Sequence, residues 1–179
     1  YRTLPGTHPT RGAYFTRGTT KDRYARYSEA GPDYVENMTR LLRKFETAKS
    51  LVPQPLLVPA PRPARFGAIF YGSTSPAMVE AVDGLAERGI LVNALRVRAF
   101  PFADEIVDFC NSHPWVFVVE QNRDAQMKTL LVNEAGVNQS RLISVLHYDG
   151  TPITARFIVD EIARHASEHT VVPFKKVVS

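Results

Sequence analysis

Two hydrophobic periods alternate along this chain from residue 67 to 166. GAIFYG (67–72) is a short apolar run ended by Gly72. PAMVEAVDGLAER (76–88) has helical spacing, with Pro76 in its first turn and Gly89 after it. LVNALRVRAF (91–100) reads as a strand closed by Pro101, and FADEIVDFCNSH (102–113) as a helix closed by Pro114. WVFVVE (115–120) is continuous, β-branched and aromatic, the pattern of a fully buried strand. DAQMKTLLVNEA (124–135) is a predicted helix stopped by Gly136, LISVLHY (142–148) a strand and TARFIVDEIARHA (154–166) a helix. Strand and helix thus alternate four times. That order predicts an α/β fold with an open, mostly parallel sheet and helices on both faces. TVVPFKKVVS at the end reads as an edge strand or a tail.

The preceding third is different. Val35, Met38, Leu41, Leu42, Phe45 and Ala48 recur at spacings of three and four, so residues 32–50 predict a helix with one apolar stripe, opened by Pro32. That stripe needs a surface to pack on, in the domain that follows or in another subunit. Residues 52–66 hold Pro53, Pro55, Pro59, Pro61 and Pro63, which disfavour helix and predict an extended connector. Residues 1–31 show no useful periodicity. The predicted organisation is a basic arm plus helix over 1–51, the connector over 52–66 and the α/β domain over 67–179.

Charge sharpens this division. The chain has 179 residues and a net charge of +4, but residues 1–66 carry 12 Lys/Arg against 5 Asp/Glu while the rest is slightly acidic. A basic flank reads as an interaction arm. Without an RNP, zinc-finger or basic-helix pattern, nucleic acid is not an expected partner. The one cysteine, Cys110, excludes an internal disulfide and a cysteine-rich zinc or iron–sulfur site built by this chain alone. No apolar run reaches the ~20 residues that span a bilayer. With no leader visible, the expectation is a cytoplasmic protein without a membrane partner. The chain opens at Tyr1 without Met, which reads as part of something longer.

Candidate chemistry is sparse. In such a sheet, ligands bind outside the C-terminal ends of the strands. This points first to Ser73 and Thr74, whose hydroxyls precede a helix. They suit an anion, or Thr74 or Ser75 simply caps the helix. Second come Glu120, Gln121 and Asn122 with Gln126, a polar set after the most buried strand. They suit a ligand or a subunit interface, or Asn122 or Asp124 caps the next helix. Third is Thr16-Arg17-Gly18 with Lys21 and Asp22. Its glycine and lysine spacing is wrong for a P-loop, so only anion contact by Arg17 and Lys21 remains, against a solvated basic loop. No G-x-G-x-x-G follows the first strand. The five histidines lack ligand spacing and predict no metal. Cys110 reads as a buried, unactivated thiol. Two formal glycosylation sequons occur, at Asn37 and Asn138; the first lies inside a predicted helix. No catalytic residue is assigned.

YRTLPGTHPTRGAYFTRGTTKDRYARYSE and ENMTRLLRKFETAKSLVP resemble the alpha subunit of 2-oxoglutarate:ferredoxin oxidoreductase. GAIFYGSTSPAMVEAV, LRVRAFPF and VVEQNRDAQM resemble that subunit's C-terminal, transketolase-C-like domain. The resemblance implies a three-layer α/β/α sandwich with a mixed, mainly parallel sheet. It implies oxidative decarboxylation of a 2-oxo acid on thiamine diphosphate and Mg, electrons leaving through a [4Fe–4S] cluster to ferredoxin, and coenzyme A taking the acyl group. The implied partners are the remainder of the alpha subunit, a beta subunit and, through the complex, ferredoxin. The family's YPITP-type and RGGPSTGLPT-type motifs, its diphosphate-binding GDG and its cluster cysteines are absent, so no cofactor is expected on this chain alone. Thr20-Lys21-Asp22 also stands where many relatives have a Gly-His-Asp/Asn turn. Two other readings share the fold: a free-standing anion-binding module, and the C-terminal domain of another thiamine enzyme.

Overall fold

The computed structural model describes Leu4, residues 6–12 and residues 20–170. By its internal contacts the chain divides into two units, Tyr1–Thr47 and Ala48–Ser179.

In the first unit, residues 20–28 turn back on themselves through a bridge between Lys21 and Tyr27. Asp22 makes the turn: its Oδ1 accepts the N–H groups of Tyr24 and Arg26, both at 2.9 Å. Ala25 takes the left-handed conformation between them, with φ 66°. Helix α1 (Gly31–Lys49) follows and buries none of its residues. Asn37 on α1 holds the turn, donating through Nδ2 to Thr20 Oγ1 and to the Lys21 carbonyl.

The second unit is built on a five-stranded sheet: β1 (Leu56–Val58), β2 (Phe66–Tyr71), β3 (Val92–Val97), β4 (Trp115–Glu120) and β5 (Leu142–Leu146), in the order β1-β3-β2-β4-β5. Every pairing is parallel except β1 with β3. β1 lies inside the segment expected to be an extended connector. Three residues between prolines are too few to show a period, and an edge strand tolerates the missing donors of Pro55 and Pro59. The connector is also tied at Ala60, whose N–H donates to Asn93 Oδ1. Asn93 Nδ2 lies 2.9 Å from His113 Nε2, and His113 Nδ1 lies 2.8 Å from the Phe109 carbonyl. A carbonyl only accepts, so Nδ1 carries the proton and Nε2 accepts from Asn93.

The helices are α2 (Ser75–Glu87), α3 (Asp104–Ser112), α4 (Gln126–Ala135) and α5 (Ala155–Thr170). Period-two alternation splits the strands between two cores. Ala68, Phe70, Ala94, Phe117 and Val119 pack with Met78 and Leu85 of α2 and Ile158 and Ile162 of α5. Ile69, Leu95, Val116 and Val118 pack with Ile106 and Phe109 of α3 and Leu131 of α4. The result is a three-layer α/β/α sandwich with a mostly parallel, mixed sheet. Right-handed crossovers explain the sorting: β2 to β3 and β4 to β5 step in opposite directions, so α2 and α4 fall on opposite faces. Helices and strands otherwise lie within a few residues of their predicted bounds. Gly136 ends α4 as expected, in the left-handed conformation at φ 64° with its N–H on the Leu131 carbonyl. The final TVVPFKKVVS falls almost wholly outside the described residues.

Candidate functional site

The chain leaves β2 towards β3 on one side and β4 towards β5 on the other. The gap between the C-terminal ends of β2 and β4 is therefore the switch point of the sheet, where such folds place their sites. Two of the three predicted groups meet there.

Glu120 ends β4 and is completely buried. Alternation puts it on the face of Val116 and Val118, the side covered by α4. Its Oε2 accepts from Met127 N at 2.7 Å and from Asn122 Nδ2 at 2.8 Å, and its Oε1 accepts from Lys128 N at 3.1 Å. Glu120 is thus the N-terminal cap of α4, supplied from the preceding strand. An acceptor-only group meeting the free N–H groups of a helix start is favoured by both hydrogen bonding and the helix dipole. The expected cap at Asn122 or Asp124 is corrected accordingly. Asn122 Oδ1 does accept from Asp124 N at 3.1 Å and Gln126 N at 3.3 Å, which shapes the turn. The residue at the cap position itself is Ala125, left-handed at φ 51° and without a polar side chain.

Gln121 points the other way. Its Nε2 donates to Ser73 Oγ at 2.9 Å and to Thr74 Oγ1 at 3.2 Å, and its Oε1 lies 3.4 Å from the N–H of Ile153. One amide therefore ties the loops after β2, β4 and β5. Thr74 is buried and makes no side-chain cap to α2, so the capping reading of Thr74 is corrected as well. A 3₁₀ turn over Gly72–Thr74 carries the chain into α2, and it turns both hydroxyls to Gln121. Gln126 is exposed, and only its backbone N–H joins the cluster.

Sequence reasoning missed Tyr71. Its hydroxyl lies 3.4 Å from Asn122 Nδ2. Burial first, and the Glu120 charge second, push its pKa above the usual phenol value. A Tyr closing a strand beside a switch-point Gly was the available signal.

The third group belongs to the first unit. Thr16, Arg17 and Gly18 lie outside the described residues. Lys21 contributes its backbone to the turn, and Asp22 spends its carboxylate on it. A cleft of about 620 Å³ is lined here by Lys21, Asp22, Arg23, Asn37 and Arg40. Among the described residues no three His, Cys, Asp or Glu side chains are placed to hold a metal ion. No helix among them is long and apolar enough to cross a membrane.

What the switch point can do follows from this accounting. Glu120 and Asn122 spend both ends of their polar groups on the turn into α4, on its first N–H groups and on each other, and Gln121 spends its amide on the loops after β2 and β5. The cluster is a clasp, with no nucleophile beside a base.

The architecture is thus an open α/β/α sandwich with a polar, internally bonded switch point. It is similar to that of 2-oxoglutarate:ferredoxin oxidoreductase from Magnetococcus marinus, solved with 2-oxoglutarate, coenzyme A and succinyl-CoA bound. The TM-score is 0.74 at 18% identity, over 89% of this chain and 27% of that chain. This likeness establishes the fold, and the chain spans about a quarter of its neighbour's length. The alpha chain of a probable 2-oxoacid ferredoxin oxidoreductase from Thermoplasma acidophilum also aligns, at 24% identity and TM-score 0.44, over 64% of this chain and 97% of that one. No family profile and no curated protein matches the chain.

Proposed function

We propose that this chain is the C-terminal part of the alpha subunit of a thiamine-dependent 2-oxo acid:ferredoxin oxidoreductase, with 2-oxoglutarate as the acid. The complex decarboxylates the acid oxidatively to an acyl-coenzyme A and passes electrons to ferredoxin. The supporting observation is the shared fold over 89% of the chain with a 2-oxoglutarate:ferredoxin oxidoreductase, joined to the sequence phrases YFTRG…YSE and VVEQNRDAQM.

On this reading the chain assembles the complex, and its arm lies at the active-site entrance. One of the implied groups does not fit this chain's own residues. A [4Fe–4S] cluster takes four thiolates and the chain has one Cys. The proposal therefore places the cluster on other polypeptide, and, because the family's diphosphate-binding GDG motif is absent from this sequence, it places thiamine diphosphate and Mg there too, in the rest of the alpha subunit and a beta subunit. The inward-bonded clasp fits a scaffold better than a free anion receptor, because the hydroxyls of Ser73 and Thr74 already receive Gln121.

The test is the native mass and activity of the particle that contains this chain, purified from its source. The expected result is an assembly far above 20.0 kDa that reduces ferredoxin only when given both 2-oxoglutarate and coenzyme A. A lone chain that instead binds coenzyme A or thiamine diphosphate at micromolar affinity would establish the module reading.

A further inference from the structure

A buried histidine is tied to the connector through a single amide. His113 follows α3 and is buried. Its ring lies over Gly67 of β2, where a Cβ would come within 3.1 Å of Cγ, and against the Phe109 ring, with 4.5 Å between centroids. Nδ1 is held 2.8 Å from the Phe109 carbonyl and 3.1 Å from Ser112 Oγ. The ring is thus clamped in place. Nε2 lies 2.9 Å from Asn93 Nδ2, and Oδ1 of the same amide accepts the Ala60 N–H at 2.9 Å.

Each proton in this relay is set by its neighbours. The Phe109 carbonyl only accepts, so Nδ1 donates. The Ala60 N–H only donates, so Oδ1 faces it. Nδ2 therefore points at Nε2, which must offer a lone pair. A second proton on the ring breaks the pattern, because Nε2–H and Nδ2–H then oppose each other. No carboxylate pairs with His113 among the described residues. The charged group that reaches it from a neighbouring element is Arg141, whose Nη1 donates to the His113 carbonyl at 3.0 Å. A buried imidazolium N–H without an acceptor is costly. Turning the Asn93 amide over supplies the acceptor, since Oδ1 then meets Nε2–H. The same turn sets Nδ2 against the Ala60 N–H, donor against donor, and the connector loses its tie.

We propose that His113, Asn93 and Ala60 form an acid-sensitive latch: protonation of His113 turns over the Asn93 amide and frees the connector at Ala60, two residues beyond the edge strand β1. The latch belongs to the sheet and connector alone and stands whether or not the proposed function holds.

The experiment uses the complete chain as wild type and as Asn93→Asp, from about pH 8 to about pH 5, the range in which histidine titrates. Ring-nitrogen NMR shifts report which His113 nitrogens carry protons. Amide exchange, corrected for the intrinsic rate at each pH, reports protection of the Ala60 N–H. In wild type, Ala60 protection is expected to fall about tenfold or more as Nε2 gains its proton, while Val118 in β4 keeps its own. In Asn93→Asp the carboxylate accepts from both Nε2–H and the Ala60 N–H, so Ala60 should stay protected throughout. Constant Ala60 protection while wild-type Nε2 gains its proton overturns the latch, because another acceptor then serves the ring. A His113 Nε2 that stays unprotonated across the whole range overturns it too. Equal loss at Ala60 in Asn93→Asp assigns the change to other titrating groups, and loss at Val118 together with Ala60 assigns it to global unfolding; either result also defeats the latch. Should Asn93→Asp fail to fold, the wild-type titrations decide: protonation of Nε2 and loss of Ala60 protection must follow one curve.

Discussion

Replacing Glu120 with Gln changes one oxygen to an NH₂ group and almost nothing else in volume. Glu120 is fully buried and receives the N–H groups of Met127 and Lys128 and the Asn122 amide. The best orientation of Gln keeps its oxygen where Oε2 serves two donors. Its NH₂ then faces the N–H of Lys128, donor against donor. Leaving a buried donor unsatisfied costs about 1–3 kcal/mol. Losing the negative charge at the start of α4 costs about 1 kcal/mol more. The expected loss is about 3 kcal/mol, a melting shift of about 10 °C for a unit of this size. Calorimetry of the wild-type and Glu120→Gln chains at pH 7 measures it. Amide exchange gives the location: Met127 and Lys128 should lose protection while α3 keeps it. A melting temperature within about 2 °C of wild type, with Met127 and Lys128 still protected, would falsify the assignment of Glu120 as the cap.

Four other outcomes are expected. Cys110 is wholly inaccessible, and burial pushes its thiol up to about 12; it should resist alkylation in the native chain at pH 8 and react fully in denaturant. Because its folded value is raised, its contribution is complete below the unfolded thiol value and is lost as pH climbs towards about 12, so the stability of Cys110→Ala should fall less steeply than wild type across that alkaline range. In Gly67→Ala the new Cβ would sit 2.9 Å from Phe109 Cε1 and 3.1 Å from His113 Cγ; urea unfolding should show a loss of about 1–3 kcal/mol, and an unchanged midpoint would mean that the Phe109 ring moves aside freely. Asn93→Leu strands the Ala60 N–H and His113 Nε2, each bonded at 2.9 Å, for an expected cost of about 1–3 kcal/mol; wild-type stability in that variant would show that the connector is not held there.

Much of this fold is legible in the residues. WVFVVE reads as a buried strand, because its first five positions, β-branched or aromatic, offer no polar face. PAMVEAVDGLAER and TARFIVDEIARHA repeat their apolar positions at the helical period, and Gly136 marks a helix end because it accepts a left-handed conformation without strain. Period and punctuation are local properties, so they survive in a linear reading. The alternation of strand and helix then leaves few topologies, and the crossover rule sorts the helices between two faces.

The chemistry of the switch point was only half visible. Glu120, Gln121 and Asn122 stood out as a polar cluster after a buried strand, but their work depends on residues far away. Gln121 finds Ser73 and Thr74 from 48 and 47 positions along the chain, and no local period records such a pairing. Glu120 caps α4 only because the turn through Ala125 folds the helix start back over the end of β4. Strand order has the same origin. What lies beside a residue across the sheet is set by packing the whole chain at once, so tertiary structure alone decides which polar groups are spent and which remain to be met.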